Sequence, residues 1–374
     1  MVETRFFSAG DFTLGSGEVI SGAQLAYETY GRLNSAASNA VLLFHALTGS
    51  QHAHGYNPAV PGTGSLWQEE NHLGWWDAMI GPGRPLDTDR LFIVCANLLG
   101  SCYGSSGPCS THPDGMPWSA RFPLVSAADQ ARIQTLLLDS LGIGRFHVVG
   151  PSVGGLAGLA LTALFPARVK GFISIGSGYY PLIEHQLSVF EQILAIELDP
   201  SFRGGSYPLD DPPSRGLAFA RIIGHKAFVY QQGLETRARA ATGDRCGLLS
   251  WYKPTRNTQS YMLHQGTKFA RRFDANAYLR LADMWINFDL PRETGTVSFA
   301  EAMRGCSRER TPVLVFGIDT DACFPQEAQK EFASELRRAG VPAELQLVRS
   351  EKGHDSFLLE PELYAKAISR FLRA

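Results

Sequence analysis

The chain has 374 residues, 44% hydrophobic and 19% charged, and 34 Lys plus Arg against 36 Asp plus Glu leave a net charge of -2. That length buries a large core, as two domains or as one α/β domain with a long insertion. The near balance of charge provides no basic stripe for nucleic acid or an anionic membrane and favours small neutral or zwitterionic partners. No apolar run approaches the ~20 residues that span a bilayer. The start "MVETRFFSAGDF" lacks the basic and apolar regions of a signal peptide, so a cytoplasmic protein is expected.

In chain order, the first buried-strand signals are "NAVLLFHAL" (39–47) and "RLFIVCANL" (90–98), short apolar runs without polar alternation. Ser126 and Asp129 then form an [ST]-x-x-[DE] start to "SAADQARIQTLLLDSLG", whose Ile133, Leu136, Leu137 and Leu141 recur at helical spacing. Strand runs follow at "RFHVVGPS" (145–152) and "KGFISIGSG" (170–178). The alternation stops near residue 180, giving way to amphipathic stretches such as "LIEHQLSVFEQILAIEL" and "RGLAFARIIGHKAFVYQQGL". It resumes near 311 with "PVLVFGID" (312–319), the helix "PQEAQKEFASELRRAG", the strand "AELQLVRS" (343–350) and the helix "PELYAKAISRFLRA". Runs of this kind suit strands buried on both faces, so the expected fold is a mostly parallel, doubly wound α/β sheet. Residues 1–180 and 311–374 would form its core, and 181–310 a helical cap inserted between them.

The six cysteines, Cys95, Cys102, Cys109, Cys246, Cys306 and Cys323, include no C-x-x-C pair and no zinc-ligand spacing. Cys102 and Cys109 flank a Gly/Ser loop, yet free thiols that pack or line a pocket are expected. His52 and His54 form an H-x-H, but no matching acidic or Cys/His cluster accompanies them, so no metal is expected.

The stretch "HVVGPSVGGLAGLAL" (147–161) joins a strand to an Ala/Leu-rich helix through Gly150-x-Ser152-x-Gly154. A tight turn of this kind pushes a serine hydroxyl out above the carboxyl edge of a parallel sheet. A hydroxyl is a poor nucleophile near pH 7, so it needs a base within hydrogen-bond reach and a carboxylate to orient that base. On such sheets the acid and the histidine follow the serine in chain order, on loops after late strands. Asp319 and Asp321 end one late strand run and His354 follows the next, which leaves two aspartates open for the acid.

Several segments together resemble the homoserine O-acyltransferase family of the α/β-hydrolase superfamily. They are "FHALTGS" (44–50), "GWWDAMIGPGRPLDTDRLFIVCANLLGSCYGSSGPCS" (74–110), "GPSVGG" (150–155), "GLAFARIIGHKAFVY" (216–230), "YMLHQGTKFARRFDANAYL" (261–279), "DTDACFP" (319–325) and "GHDSFLLE" (353–360). The resemblance implies an α/β-hydrolase fold and transfer of an acyl group from acyl-CoA to an amino-acid hydroxyl. Acetyl-CoA would be the co-substrate, or succinyl-CoA, with no bound cofactor and no metal. It implies Ser152 as nucleophile, His354 as base and Asp321 as orienting acid, with Asp319 the alternative. Leu47 and Val153 would supply the oxyanion N–H donors, Arg221 would hold the acceptor carboxylate and Asp355 its amine, and the chain would form a homodimer through its cap. Homoserine is the expected acceptor; L-serine acylation and plain ester hydrolysis are the rival readings. Pro151 and Val153 stand where the family usually has Gly or Ala and Met, Ser50 replaces Asp in "LTGD", and Cys109 replaces Ser or Ala in "GP[SA]S".

Overall fold

The computed structural model describes residues 2–238 and 248–373, so Cys246 lies outside the described residues. Eight strands form one sheet: β1 (Arg5–Thr13), β2 (Val19–Tyr30), β3 (Ala40–Leu43), β4 (Phe92–Ala96), β5 (Phe146–Pro151), β6 (Val169–Ile175), β7 (Val313–Ile318) and β8 (Ala343–Val348). Their spatial order is β1-β2-β4-β3-β5-β6-β7-β8. The β1–β2 and β2–β4 pairs are antiparallel, and every pair from β4 to β8 is parallel.

The apolar runs become strands because both faces of the sheet are covered. Every residue of β3, β5 and β7 is buried. Alternate residues serve opposite cores: Leu42, Val148 and Val315 pack on one side, and Val41, Leu43, Val149 and Phe316 on the other. The first side carries α1 (Ala127–Ser140) and α2 (Val153–Leu164); Tyr364 and Ile368 of the C-terminal helix Glu362–Phe371 close the second. The Ser126/Asp129 capping box forms as the spacing requires, with Asp129 N donating to Ser126 Oγ at 3.1 Å and Ser126 N to Asp129 Oδ2 at 2.9 Å.

Strands β1 and β2 have no counterpart among the sequence-derived runs. β1 is largely exposed, and bulges around Gly10 interrupt its pairing, so one edge hairpin lacks the continuous apolar signature that marks the central strands. No strand lies between β6 and β7 among the described residues. Helices α3 (Ile183–Glu197), α4 (Ser214–Phe228), α5 (Asn257–Ala270) and α6 (Ala275–Ile286) fill that interval. The chain then returns through Leu290–Thr294, which packs on α2, and the Glu293 carboxylate accepts the Ala128 N–H at the start of α1 at 2.5 Å. Residues near 290–309 therefore rest on core helices.

The two histidines of the H-x-H diverge. The His52 ring nitrogens face Glu28 Oε2 at 2.8 Å and the His72 carbonyl at 3.0 Å, inside a fully buried network with Thr4, Tyr30 and Asn57. Burial opposes ionisation of Glu28, but the donors around it, His52 first, hold its carboxyl below the ordinary range. His54 pairs instead with Asp77 at 2.7 Å.

Candidate active site

Ser152 sits between the end of β5 and the first residue of α2, with φ 53° and ψ -129°. Positive φ is sparsely populated for a side chain with a Cβ, and the surrounding backbone sustains it. Glycine is required on both sides of the turn. A Cβ on Gly150 would meet Gly154 O at 2.3 Å, and one on Gly154 would meet His45 O at 2.6 Å. The corner therefore closes only with hydrogen at these positions, which is the physical content of the Gly-x-Ser-x-Gly spacing.

The loops after β7 and β8 bring the other two groups to this corner. His354 Nε2 lies 2.9 Å from Ser152 Oγ, and His354 Nδ1 lies 2.8 Å from Asp321 Oδ2. The second Asp321 oxygen accepts the N–H groups of Cys323 and Phe324, both at 2.8 Å. All three side chains are buried. Burial alone would depress the imidazole, yet the Asp321 charge and hydrogen bond, with Asp355 adding to them, hold His354 above its ordinary value. Asp319 is engaged elsewhere: its Oδ1 accepts the Ser350 N–H at 3.0 Å and ties the two strand-end loops together. The geometry thus pairs Asp321, and not Asp319, with the histidine.

Phenylalanines fix the plane of the ring. Phe324 stacks on His354 at 5.6 Å, Phe228 of α4 lies over it at 5.8 Å, and Phe357 meets it edge-on at 5.5 Å. Val153 opens α2, so its N–H has no partner one turn earlier in the helix, and Leu47 lies in the turn after β3. Such a site can activate a hydroxyl and receive negative charge on an oxygen next to it.

Arg221 of α4 is partly enclosed between aromatic faces, its guanidinium 5.2 Å from the Phe228 ring centre and 5.0 Å from that of Phe269. Its neighbour Phe219 points outward and is 55% exposed. Enclosure comes from a residue two helical turns on, Phe228, and from Phe269 of a different helix. Burial and the nearby Arg272 cation pull Arg221 below its ordinary value, while the Asp355 carboxylate acts the other way. Asp355 follows the histidine on the turn Gly353–Asp355, so Arg221, Asp355 and His354 share one electrostatic neighbourhood.

Arg272 was not singled out by sequence reasoning. Its Nη1 donates to Thr48 O at 3.2 Å and to Tyr103 OH at 3.0 Å, and its Nε pairs with Glu70 at 3.3 Å. It joins the cap to the loop after β3. In the sequence it stands inside the segment 261–279 as the second residue of the pair "RR" (271–272), of which Arg271 is exposed. The tryptophans at 75 and 76 stack on one another at 5.2 Å, Trp75 donating to Ser50 O at 2.9 Å and Trp76 to Phe357 O at 2.8 Å. Two serines of "GSCYGSSGPCS" turn back onto the sheet: Ser105 Oγ accepts from Ala26 N and Ser106 Oγ from Gln24 N, each at 3.0 Å. Cys95, Cys102, Cys109, Cys306 and Cys323 stand as free thiols.

A strand-to-helix elbow carrying a serine, with acid and histidine after later strands of a mostly parallel sheet, defines a class, and residues 39–361 match the family model described as the alpha/beta hydrolase fold. A homoserine O-acetyltransferase of Geobacter metallireducens is 37% identical over 364 residues, 97% of this chain and 94% of that one. A homoserine O-succinyltransferase of Bordetella avium is also 37% identical, over 96% of this chain and 85% of that one. The solved homoserine O-acetyltransferase of Bacillus anthracis superposes with a TM-score of 0.87 at 27% identity, covering 100% of this chain and 98% of that one. The chain belongs to the homoserine O-acyltransferase family of the α/β-hydrolase fold. Esterase E22 shares the fold, with a TM-score of 0.87 at 24% identity over 100% of both chains.

Proposed function

We propose that this protein transfers an acyl group, acetyl in the first instance, from acyl-CoA to the side-chain hydroxyl of L-homoserine. The observation that carries the reading is the hydrogen-bonded Ser152, His354 and Asp321 relay, set beside Arg221 and Asp355 in a chain of this family. In the first half-reaction, His354 takes the Ser152 proton as Oγ attacks the thioester carbonyl. The oxyanion so formed is held by the Val153 and Leu47 N–H groups, and its collapse expels CoA, protonated by His354. In the second, His354 deprotonates the homoserine hydroxyl, which takes the acyl group and frees Ser152. No metal is needed in either step. The product is an activated homoserine for methionine synthesis.

Arg221 supplies the charge that an α-carboxylate requires, and the repulsion between Arg221 and Arg272 is relieved when an anion enters beside them. Asp355 would take the ammonium. The observations favour a zwitterionic acceptor over water, and hence transfer over hydrolysis. The acyl group is the finer point: acetyl follows the commoner name among the relatives, and succinyl is the alternative.

Mass spectrometry of products from homoserine and serine, each with acetyl-CoA and succinyl-CoA, tests the reading, with O-acetylhomoserine expected to dominate. Free acid as the main product would establish a hydrolase instead. In the same assay Arg221→Ala and Asp355→Ala are expected to retain burst release of CoA, since acylation does not involve the acceptor. Transfer should fall at least ~100-fold, the equivalent of roughly 3 kcal/mol for stranding one partner of a charge-assisted contact. Wild-type transfer by both variants would place the acceptor elsewhere.

The same reading includes a soluble protein of the cytoplasm that works as a homodimer through the cap, taken as residues 181–310. No described helix is long and apolar enough to cross a membrane. Along α3, Ile183, Leu187 and Phe190, with Leu198 just beyond its end, are between 60 and 72% exposed, a helical stripe that a second copy would cover. Leu187→Glu with Phe190→Glu is expected to sediment as a monomer; an unchanged mass would put the interface elsewhere or remove it.

A further inference from the structure

His45, in the loop between β3 and the Leu47 turn, is fully buried and lies outside the serine–histidine–aspartate relay. Leu98 N donates to its Nε2 at 2.9 Å, so that nitrogen carries no proton. The ring proton is then on Nδ1, which lies 2.7 Å from the Ala46 carbonyl and donates to it. That carbonyl and the Leu47 N–H are the two ends of a single peptide group. The chain has no cis peptide among its described residues, and across a trans peptide the C=O and N–H point in opposite directions. Whatever holds the Ala46 oxygen therefore aims the Leu47 N–H, and two donors hold it: the His45 ring and, at 2.9 Å, the Gly49 N–H.

We propose that His45 is a positioning residue that, with the Gly49 N–H, locks the Ala46–Leu47 peptide in the orientation that turns its N–H toward the oxyanion. The proposal rests on the reading of Leu47 as an oxyanion donor. Two glycines make room for the device. A Cβ on Gly49 would meet the His45 side chain at 2.9 Å, and a Cβ on Gly154, next to the second donor Val153, would meet His45 O at 2.6 Å. His45 thus touches both halves of the donor pair, its ring fixing one peptide and its carbonyl packed against the elbow. Burial pushes its imidazole down to about 4, so the ring stays neutral and holds one tautomer through the working pH range. A flipped peptide would present the Ala46 oxygen to the oxyanion, replacing attraction with repulsion.

Asparagine can place an N–H where His Nδ1 stands, whereas glutamine reaches the Nε2 position and loses the donor. His45→Ala is expected to slow acyl-enzyme formation and fluorophosphonate labelling of Ser152 by ~10²–10³, the effect of losing one oxyanion donor, with KM for acyl-CoA changed less than about threefold. His45→Asn should recover at least about tenfold of that loss and His45→Gln should not. The Asn and Gln variants decide the matter even if His45→Ala fails to fold. Labelling by His45→Ala within about threefold of wild type, or equal recovery by Asn and Gln, would overturn the proposal. Ser152→Ala run alongside separates the two levels: if it still transfers acyl groups, the reading of the elbow fails; if it is inactive while His45→Ala is normal, only the role of His45 fails.

Discussion

Ser152→Ala is expected to lower acyl transfer by on the order of 10⁶ and to remove the acyl adduct from the mass spectrum of the enzyme incubated with acyl-CoA alone. The size follows from what the hydroxyl does. In the proposed reaction it is the atom that bonds to the acyl carbon, and its 2.9 Å contact with His354 would make it reactive near neutral pH. Removing it would leave the proposed oxyanion donors and the Arg221 and Asp355 charges in place but nothing to carry the acyl group between the proposed half-reactions. The fold should be insensitive, because alanine meets the same backbone at φ 53° as serine does and the lost hydroxyl's contact is with the His354 ring. An unchanged melting temperature with no adduct is the expected pair of results; adduct formation at the wild-type rate would exclude Ser152 as the nucleophile.

The second large effect belongs to Asp321→Asn, expected to cost ~10³–10⁴ in rate by analogy with serine hydrolases. The hydrogen bonds show why. Asp321 Oδ1 accepts two backbone N–H groups, from Cys323 and Phe324, and those donors would hold the asparagine oxygen in the same place. The amide nitrogen would then face His354 Nδ1, which is 2.8 Å from Oδ2 in the native chain. A donor there forces Nδ1 to accept, moving the ring proton to Nε2, the atom that receives the Ser152 proton in the proposed reaction. The pH profile should shift as well. His354 is held above its ordinary value against burial, chiefly by the Asp321 charge. As the proposed base the ring would work only when neutral, so activity should rise with pH through that value. Without the charge the rising limb should move to lower pH while the plateau falls. Asp319→Asn should change the rate less than about tenfold, because its partner is the Ser350 N–H and not the histidine. The reverse ranking, read from kcat against pH for both variants, would reassign the acid.

Much of this site is legible in the chain because its parts are local. The elbow is six consecutive residues, with Gly150 dictated by a backbone contact inside the turn and Gly154 by the His45 carbonyl packed against it, and the strands around it are continuous apolar runs because both faces of a parallel sheet are covered. The order of serine, aspartates and histidine follows from where late strands end. The edge hairpin escaped because one exposed, bulged strand has no such run. Three matters were left to tertiary structure. Asp319 and Asp321 are two residues apart with the same chemistry, and only the packing of the loop after β8 decides which one meets His354. Arg221 is enclosed by Phe228 and Phe269, and not by the Phe219 beside it, because a helix turns its near neighbours away from one another. Arg272 and His45 act through carbonyls of the loop after β3, and side chains that work on backbone atoms leave no spacing to read: the sequence by itself determined the fold class and the chemical inventory, while the partners were decided by contacts between segments far apart in the chain.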